Sequence, residues 1–137
     1  MNILILGLGN IGLRHLQSIL KIKADKLNIY LHDKKRLLIN HNQNNHKIHK
    51  VYNIPKNLNF EIAIISTTSE VRHSLLKKII VNNRIKRILI EKIAFTSKNQ
   101  YLSALKIKNI SINYPRPLMK SYINLKSYLR KKTIKSI

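Results

Sequence analysis

The stretch Ile3-Leu4-Ile5-Leu6-Gly7-Leu8-Gly9-Asn10-Ile11-Gly12 decides the fold. Its first four residues form an unbroken apolar run, as a strand buried on both faces requires, and the expected first strand is Asn2–Leu6. The run passes straight into a G-x-G-x-x-G hexapeptide, and Ile11, Leu16, Ile19 and Leu20 then recur at helical spacing. Strand, glycine turn and amphipathic helix in this order form the βα unit that offers backbone N–H groups to a dinucleotide pyrophosphate. Each glycine has its own task there. Gly7 allows the tight turn, Gly9 lets the diphosphate approach the backbone, and Gly12 lets the helix pack closely on the strand. The helix N-terminus adds partial positive charge toward the phosphates. The chain holds 3 glycines and all of them stand in this hexapeptide, which sets the motif apart from glycine turns scattered by chance. The competing reading is a structural βα turn that binds nothing.

Outward from this unit, Lys26–His32 reads as a second strand ending at Asp33, 21 residues after Gly12. A carboxylate there can accept hydrogen bonds from the adenosine ribose hydroxyls, which favours NAD; the cations Lys34-Lys35-Arg36 beside it keep NADP as the alternative. Asp33 could equally be a solvated strand end or the N-cap of the next helix. Further strands are expected at Lys47–Val51, Glu61–Ser66, Arg87–Ile90 and Asn109–Asn113, and helices at Ile11–Ile22, Lys34–Ile39, Glu70–Val81 and Lys98–Ile107. Ser69 and Ser97 are the expected N-caps of the last two. Regular βα alternation implies an α/β fold with a doubly wound, Rossmann-like parallel sheet. Residues 1–113 are read as a dinucleotide-binding domain. Pro115 and Pro117 break the chain after it, and residues 114–137 are read as a crossover segment plus a basic amphipathic helix, Leu118–Ile134, able to cover part of a bare sheet face.

Composition narrows the classes of function. At 137 residues the chain is one domain, short for a dehydrogenase carrying its own substrate domain. Lacking cysteine, it has no disulfide, thiolate metal site or cysteine nucleophile, in keeping with a reducing cytoplasm. The N-terminus lacks the basic flank and cleavage site of a signal peptide, and no apolar run approaches a membrane span. A soluble cytoplasmic protein without a membrane partner is expected. A formal net charge of +22 points toward nucleic acid or another anionic surface. However, Ile, Lys and Asn together make up 60 of the 137 residues, a bias that A/T-rich codons produce whatever the function. Lys outnumbers Arg 20 to 7 and the cations are spread over nearly every segment, so no specific nucleic-acid partner is expected. Within Asn40–Lys50, His41, His46 and His49 lie without a neighbouring carboxylate or cysteine and without i, i+4 spacing, so they read as solvated loop residues and no metal site is expected.

Two other strand ends carry chemistry. The apolar Ile62-Ala63-Ile64-Ile65 ends in Ser66-Thr67-Thr68-Ser69 and then Glu70-Val71-Arg72-His73. Strand carboxyl ends line the ligand crevice of such sheets, so these hydroxyls can meet the nicotinamide-side ribose and phosphate, or simply start and cap a helix. Ile88-Leu89-Ile90 ends in Glu91-Lys92, where a lysine can hold a substrate hydroxyl and assist its proton transfer.

Taken in order, these segments resemble the N-terminal half of the glucose–fructose oxidoreductase and inositol dehydrogenase family. The likeness rests on Gly7 through Leu16 with its Arg14-His15 pair, on Asp33, on the Ser66-to-His73 turn, on Ile90-Glu91-Lys92, and on Asn113-Tyr114-Pro115-Arg116-Pro117 as the crossover into a substrate domain. The resemblance implies a cofactor site formed by Gly7, Leu8, Gly9, Asn10, Ile11, Gly12, Asp33, Ser66, Thr67, Thr68, His73 and Glu91. It makes Lys92 the lysine that contacts both nicotinamide and substrate. It also implies hydride transfer between a sugar or polyol hydroxyl carbon and the cofactor. Three positions depart from the family's pattern. Ile93 stands where a proline is usual, Thr67-Thr68 replaces a Thr-Pro turn, and either Arg72 or His73 takes the histidine position. The family's second α/β domain is missing as well. The expected protein is therefore an incomplete oxidoreductase, from a truncated gene or a split enzyme whose separate substrate-domain chain would be its partner; the alternative is a non-catalytic nucleotide-binding module.

Overall fold

A computed structural model describes residues 1–23, 26–34, 46–115 and 118–130. Its six strands are β1 (Asn2–Leu6), β2 (Asn28–His32), β3 (Lys47–Lys50), β4 (Asn59–Ile65), β5 (Arg84–Glu91) and β6 (Ile110–Asn113). The helices are α1 (Asn10–Leu20), α2 (Ser69–Asn82), α3 (Lys98–Ala104) and α4 (Lys120–Arg130). All strand pairs are parallel and the sheet order is β3-β2-β1-β4-β5-β6. The chain is thus an α/β protein with a Rossmann-like, doubly wound sheet, as the alternation of segments implied.

Side-chain alternation along the strands builds two core layers. On one face Leu4, Leu6, Ala63, Ile65, Ile88 and Ile90 pack with Leu76 and Ile79 of α2 and with Phe95. On the other, Ile3, Ile5, Ile29, Leu31 and Ile64 pack with Leu16 and Ile19 of α1. Registers of Ile3 with Ile62 and of Ile5 with Ile64 keep each layer continuous across the centre of the sheet. Fully burying such a side chain is worth roughly 1.5–3 kcal/mol. These rows therefore fix the register, since a one-residue slip would turn each of them to the other face.

The differences from the sequence reading have identifiable causes. β5 starts at Arg84 instead of Arg87, because Arg84 and Ile85 pair with Asn59 and Phe60 and Lys86 Nζ meets Glu61 Oε1 at 2.9 Å. Ser69 is the first residue of α2 and not its cap; Thr68, in extended conformation, occupies the cap position. Ser97 does cap α3, accepting the Gln100 N–H. His46 and His49 are not solvated. His46 Nδ1 accepts the Leu27 N–H at 3.3 Å, and His49, paired with Tyr30 across β2 and β3, stacks on its ring at 4.6 Å. The expected helix Lys34–Ile39 lies outside the described residues beyond Lys34, as does His41. Finally, α4 does not cover the sheet: every residue from 118 to 129 is exposed, including Leu118, Tyr122, Leu125 and Leu129. No helix among the described residues is long and apolar enough to cross a membrane.

Candidate functional site

Strand order reverses between β1 and β4, so the loops leaving their carboxyl ends diverge and open a crevice there. The glycine turn fills the β1 side. Gly7 adopts φ +87°, which L side chains avoid, and a Cβ on it would lie 2.7 Å from the Thr67 nitrogen. A Cβ on Gly12 would lie 2.0 Å from Gly7 O and 2.8 Å from Ser66 Oγ, so α1 approaches the turn as closely as backbone allows. Gly9 is the opposite case. A Cβ there would meet nothing within 4 Å, Gly9 is the N-cap of α1, and no side chain caps the helix. Gly9, Asn10 and Ile11 are exposed. The first turn of α1 thus presents backbone donors and the helix dipole to open space, an arrangement that favours an anion.

The end of β2 supports this turn from the side. Asp33, half-buried, accepts the Leu8 N–H on Oδ2 at 2.6 Å, and Gly7 N–H donates to His32 O at 2.8 Å. The carboxylate expected to read a ribose therefore stands beside the glycine turn and also braces it. Lys34 is exposed next to Asp33, whereas Lys35 and Arg36 lie outside the described residues. From β4, Ser66 Oγ donates to Gly7 O at 2.7 Å, with Leu6 O at 3.1 Å. Ser66 thus ties the two strand ends together. Thr67 packs under Gly7, and Thr68 is exposed at the N-terminus of α2. Hydrogen bonding from the Thr68 hydroxyl holds the Glu70 carboxyl below its ordinary range.

Structure separates Arg72 from His73. His73 turns toward α3, where its Nε2 lies 2.6 Å from Ser103 Oγ and its ring meets Phe95 edge-on at 5.7 Å. Burial, with the nearby Lys77 charge, pushes its pKa below the ordinary histidine value. Arg72 instead reaches the chain leaving the carboxyl ends of β4 and β5 and is 6% exposed. Its Nε and Nη2 donate to Thr67 O at 2.8 and 2.5 Å. Its Nη1 donates to Glu91 O at 2.5 Å and also to Ile93 O. Burial lowers the pKa of Arg72, while the Glu91 charge acts in the opposite direction.

Glu91, at the end of β5, is buried, and its Oε1 lies 2.7 Å from His15 Nε2 and accepts the Asn113 side-chain amide at 2.5 Å. Its carboxylate thus joins α1, β5 and β6 under the crevice. Lys92 follows immediately and is exposed; the Lys92–Ile93 peptide is cis. The structure therefore gathers Gly7 to Gly12, Asp33, Ser66 to Thr68, Glu91 and Lys92 along one end of the sheet, while the imidazole of His73 is engaged with α3. Sequence reasoning named Arg72 only as one of two candidates, with His73, for the family's histidine position and did not foresee its burial against the strand ends. The signal was available, because residues 72, 76 and 79 share one face of α2 and the other two are apolar and buried.

A surface hollow of about 550 Å³ lies at the opposite, amino end of the strands, lined by Met1, Asn2, Asn59, Phe60, Glu61 and Arg84 to Lys86. It carries no comparable convergence of donors, and in open parallel sheets ligands bind at the carboxyl ends. Among the described residues no group of histidines and carboxylates is placed to hold a metal ion. In comparisons with known proteins, no family model matches the chain and no curated protein matches it.

Proposed function

We propose that the chain is a nicotinamide-dinucleotide-binding domain of an oxidoreductase that acts on sugar or polyol hydroxyls. The observation that carries this reading is the open space at Gly9, bounded by the uncapped N-terminus of α1 and by Gly7, whose backbone no side chain could replace. The residues present fit a dinucleotide. The pyrophosphate would lie on Leu8 to Ile11, the adenosine ribose at Asp33, and the nicotinamide half toward Thr67, Thr68 and Lys92. Bound there, the nicotinamide would exchange hydride with a substrate carbon. The Lys92 side chain would hold the reacting hydroxyl, its neutral amine taking up the hydroxyl proton and the resulting ammonium returning it in the reverse direction. Ser66 and Asp33 keep the turn in its binding shape, and Glu91 fixes the strand end before Lys92.

A fluorescence titration with NADH and NADPH tests the reading. Saturable NADH binding that Gly9→Val abolishes is expected; unchanged affinity in that variant would refute it. A second reading, a nucleotide-binding module without turnover, draws on the exposure of Lys92 and on the engagement of the Glu91 carboxylate with His15 and Asn113. Glu91 so placed does not share proton handling with Lys92. Turnover of inositol, glucose and amino sugars, measured as NAD reduction in wild type and Lys92→Ala, separates the two.

A further inference from the structure

Lys92 is flanked by two carbonyls, Glu91 O and Ile93 O, and the same nitrogen of Arg72 donates to both. The other edge of that guanidinium grips Thr67 O, and Thr67 is the residue against which Gly7 packs. One buried side chain therefore links Thr67, which lies against Gly7, to the backbone on either side of Lys92. We propose that Arg72 is a positioning residue that holds the Lys92 segment against the glycine turn, so that a dinucleotide seated at Gly9 also lies under the Lys92 ammonium. This inference rests on the dinucleotide reading given above.

The chemistry of the side chain supports it. A planar guanidinium carries five N–H donors in fixed directions, and three main-chain oxygens from two strand ends converge on them here. A lysine ammonium has a different donor geometry and shorter lateral reach, and a glutamine amide supplies two donors from one nitrogen. Burial raises the consequence of removal, because carbonyls that lose a donor in a dry site must find water or move. At the end of β5 the second course shifts Lys92. His15 and Asn113 hold the Glu91 side chain from the other direction, so the main chain from 91 to 93 is the part that depends on Arg72.

The test compares the full-length wild type with Arg72→Lys and Arg72→Gln. The rate at which acetic anhydride acylates Lys92 is read by mass spectrometry, with and without NADH. With NADH at about twenty times its Kd, occupancy allows up to about twentyfold protection of a covered lysine. Wild type is expected to approach that protection. Both variants are expected to bind NADH and yet show about threefold protection or less, with millimolar guanidinium restoring it in Arg72→Gln. A lost stabilising contact alone would lower the melting temperature and leave protection of the folded, liganded protein unchanged, and that outcome would overturn the proposal. If Arg72→Gln does not fold, Arg72→Lys carries the comparison. Should the wild type bind no NADH, the dinucleotide reading fails, and amide exchange at residues 91–94 of the free protein decides the positioning role. Exchange faster in Arg72→Lys than the change in melting temperature explains would uphold it, and unchanged exchange would overturn it.

Discussion

Replacing Gly12 and Gly9 separately by alanine adds the same methyl group to the same turn with opposite expected results. At Gly12 the new Cβ would lie 2.0 Å from Gly7 O, whereas ordinary contact begins near 3.4 Å. Either α1 or the turn must retreat by roughly 1.4 Å, and overpacking of this kind costs about 1–3 kcal/mol. The retreat also strains the Ser66 Oγ to Gly7 O hydrogen bond, worth about 1 kcal/mol more. For a domain of this size each kcal/mol moves the melting temperature by about 3–5 °C, so Gly12→Ala should melt roughly 10–15 °C below wild type. At Gly9 the Cβ meets nothing within 4 Å and the backbone, at φ −66° and ψ −172°, suits any residue. Exchanging this N-cap glycine for alanine should cost under about 1 kcal/mol and shift melting by less than about 4 °C. Differential scanning calorimetry with an NADH titration reads both halves. Gly12→Ala loses stability, whereas Gly9→Ala and Gly9→Val keep it and lose affinity in order of side-chain size. A Gly12→Ala protein as stable as wild type would refute the close-approach argument. Wild-type affinity in Gly9→Val would refute the placement of the pyrophosphate.

Other expectations follow from single contacts. Asp33→Ser removes the carboxylate that accepts the Leu8 N–H and that the proposed function sets against the ribose, so the expected preference for NADH over NADPH should narrow by about 1–2 kcal/mol in competitive titration. Glu91→Ala leaves His15 and the Asn113 amide without their shared acceptor inside the protein, and urea unfolding should show a loss of about 3 kcal/mol. His73 titrates below its ordinary value in the folded state, so the unfolded chain takes up its proton first as pH falls. Its contribution to stability is full above about pH 6.5 and declines below it, and His73→Gln should flatten that part of a urea-midpoint profile. Truncation after Asn113 should leave the melting temperature of the remainder within about 4 °C of the full chain, since residues 118–129 are all exposed.

The apolar runs and the hexapeptide made the sheet readable because the signals were local. β1 is Asn2–Leu6 as expected, and both the order of the elements and the parallel sheet followed from alternation. What escaped depended on partners distant in sequence. Arg84 to Arg87 looks like a charged loop until Glu61, 25 residues earlier, is set opposite Lys86. His49 looks solvated until Tyr30 covers its ring. Gly7, Gly9 and Gly12 were identified from spacing alone, but which of them faces open space emerged only with Thr67 and Ser66 in place. Arg72 and His73 stand side by side on a basic helix, and the difference between them lies in the neighbours each meets, Glu91 and Ser103 respectively.

The sheet order also sets a timetable for the chain during synthesis. β1 leaves the ribosome first, yet on one side its partner is β4, with Ile3 in register with Ile62. At about 5–20 residues per second, those intervening residues take roughly 3–12 s to appear. Until then, β1, β2 and β3 can form only a three-stranded fragment, and Leu4 and Leu6 lack the Ala63 and Ile65 beside which they are finally buried. Parallel pairing over such a separation is intrinsically slow. The nascent N-terminal third is therefore the stage at which this protein is most exposed to aggregation, and the emergence of β4 is the event that ends it.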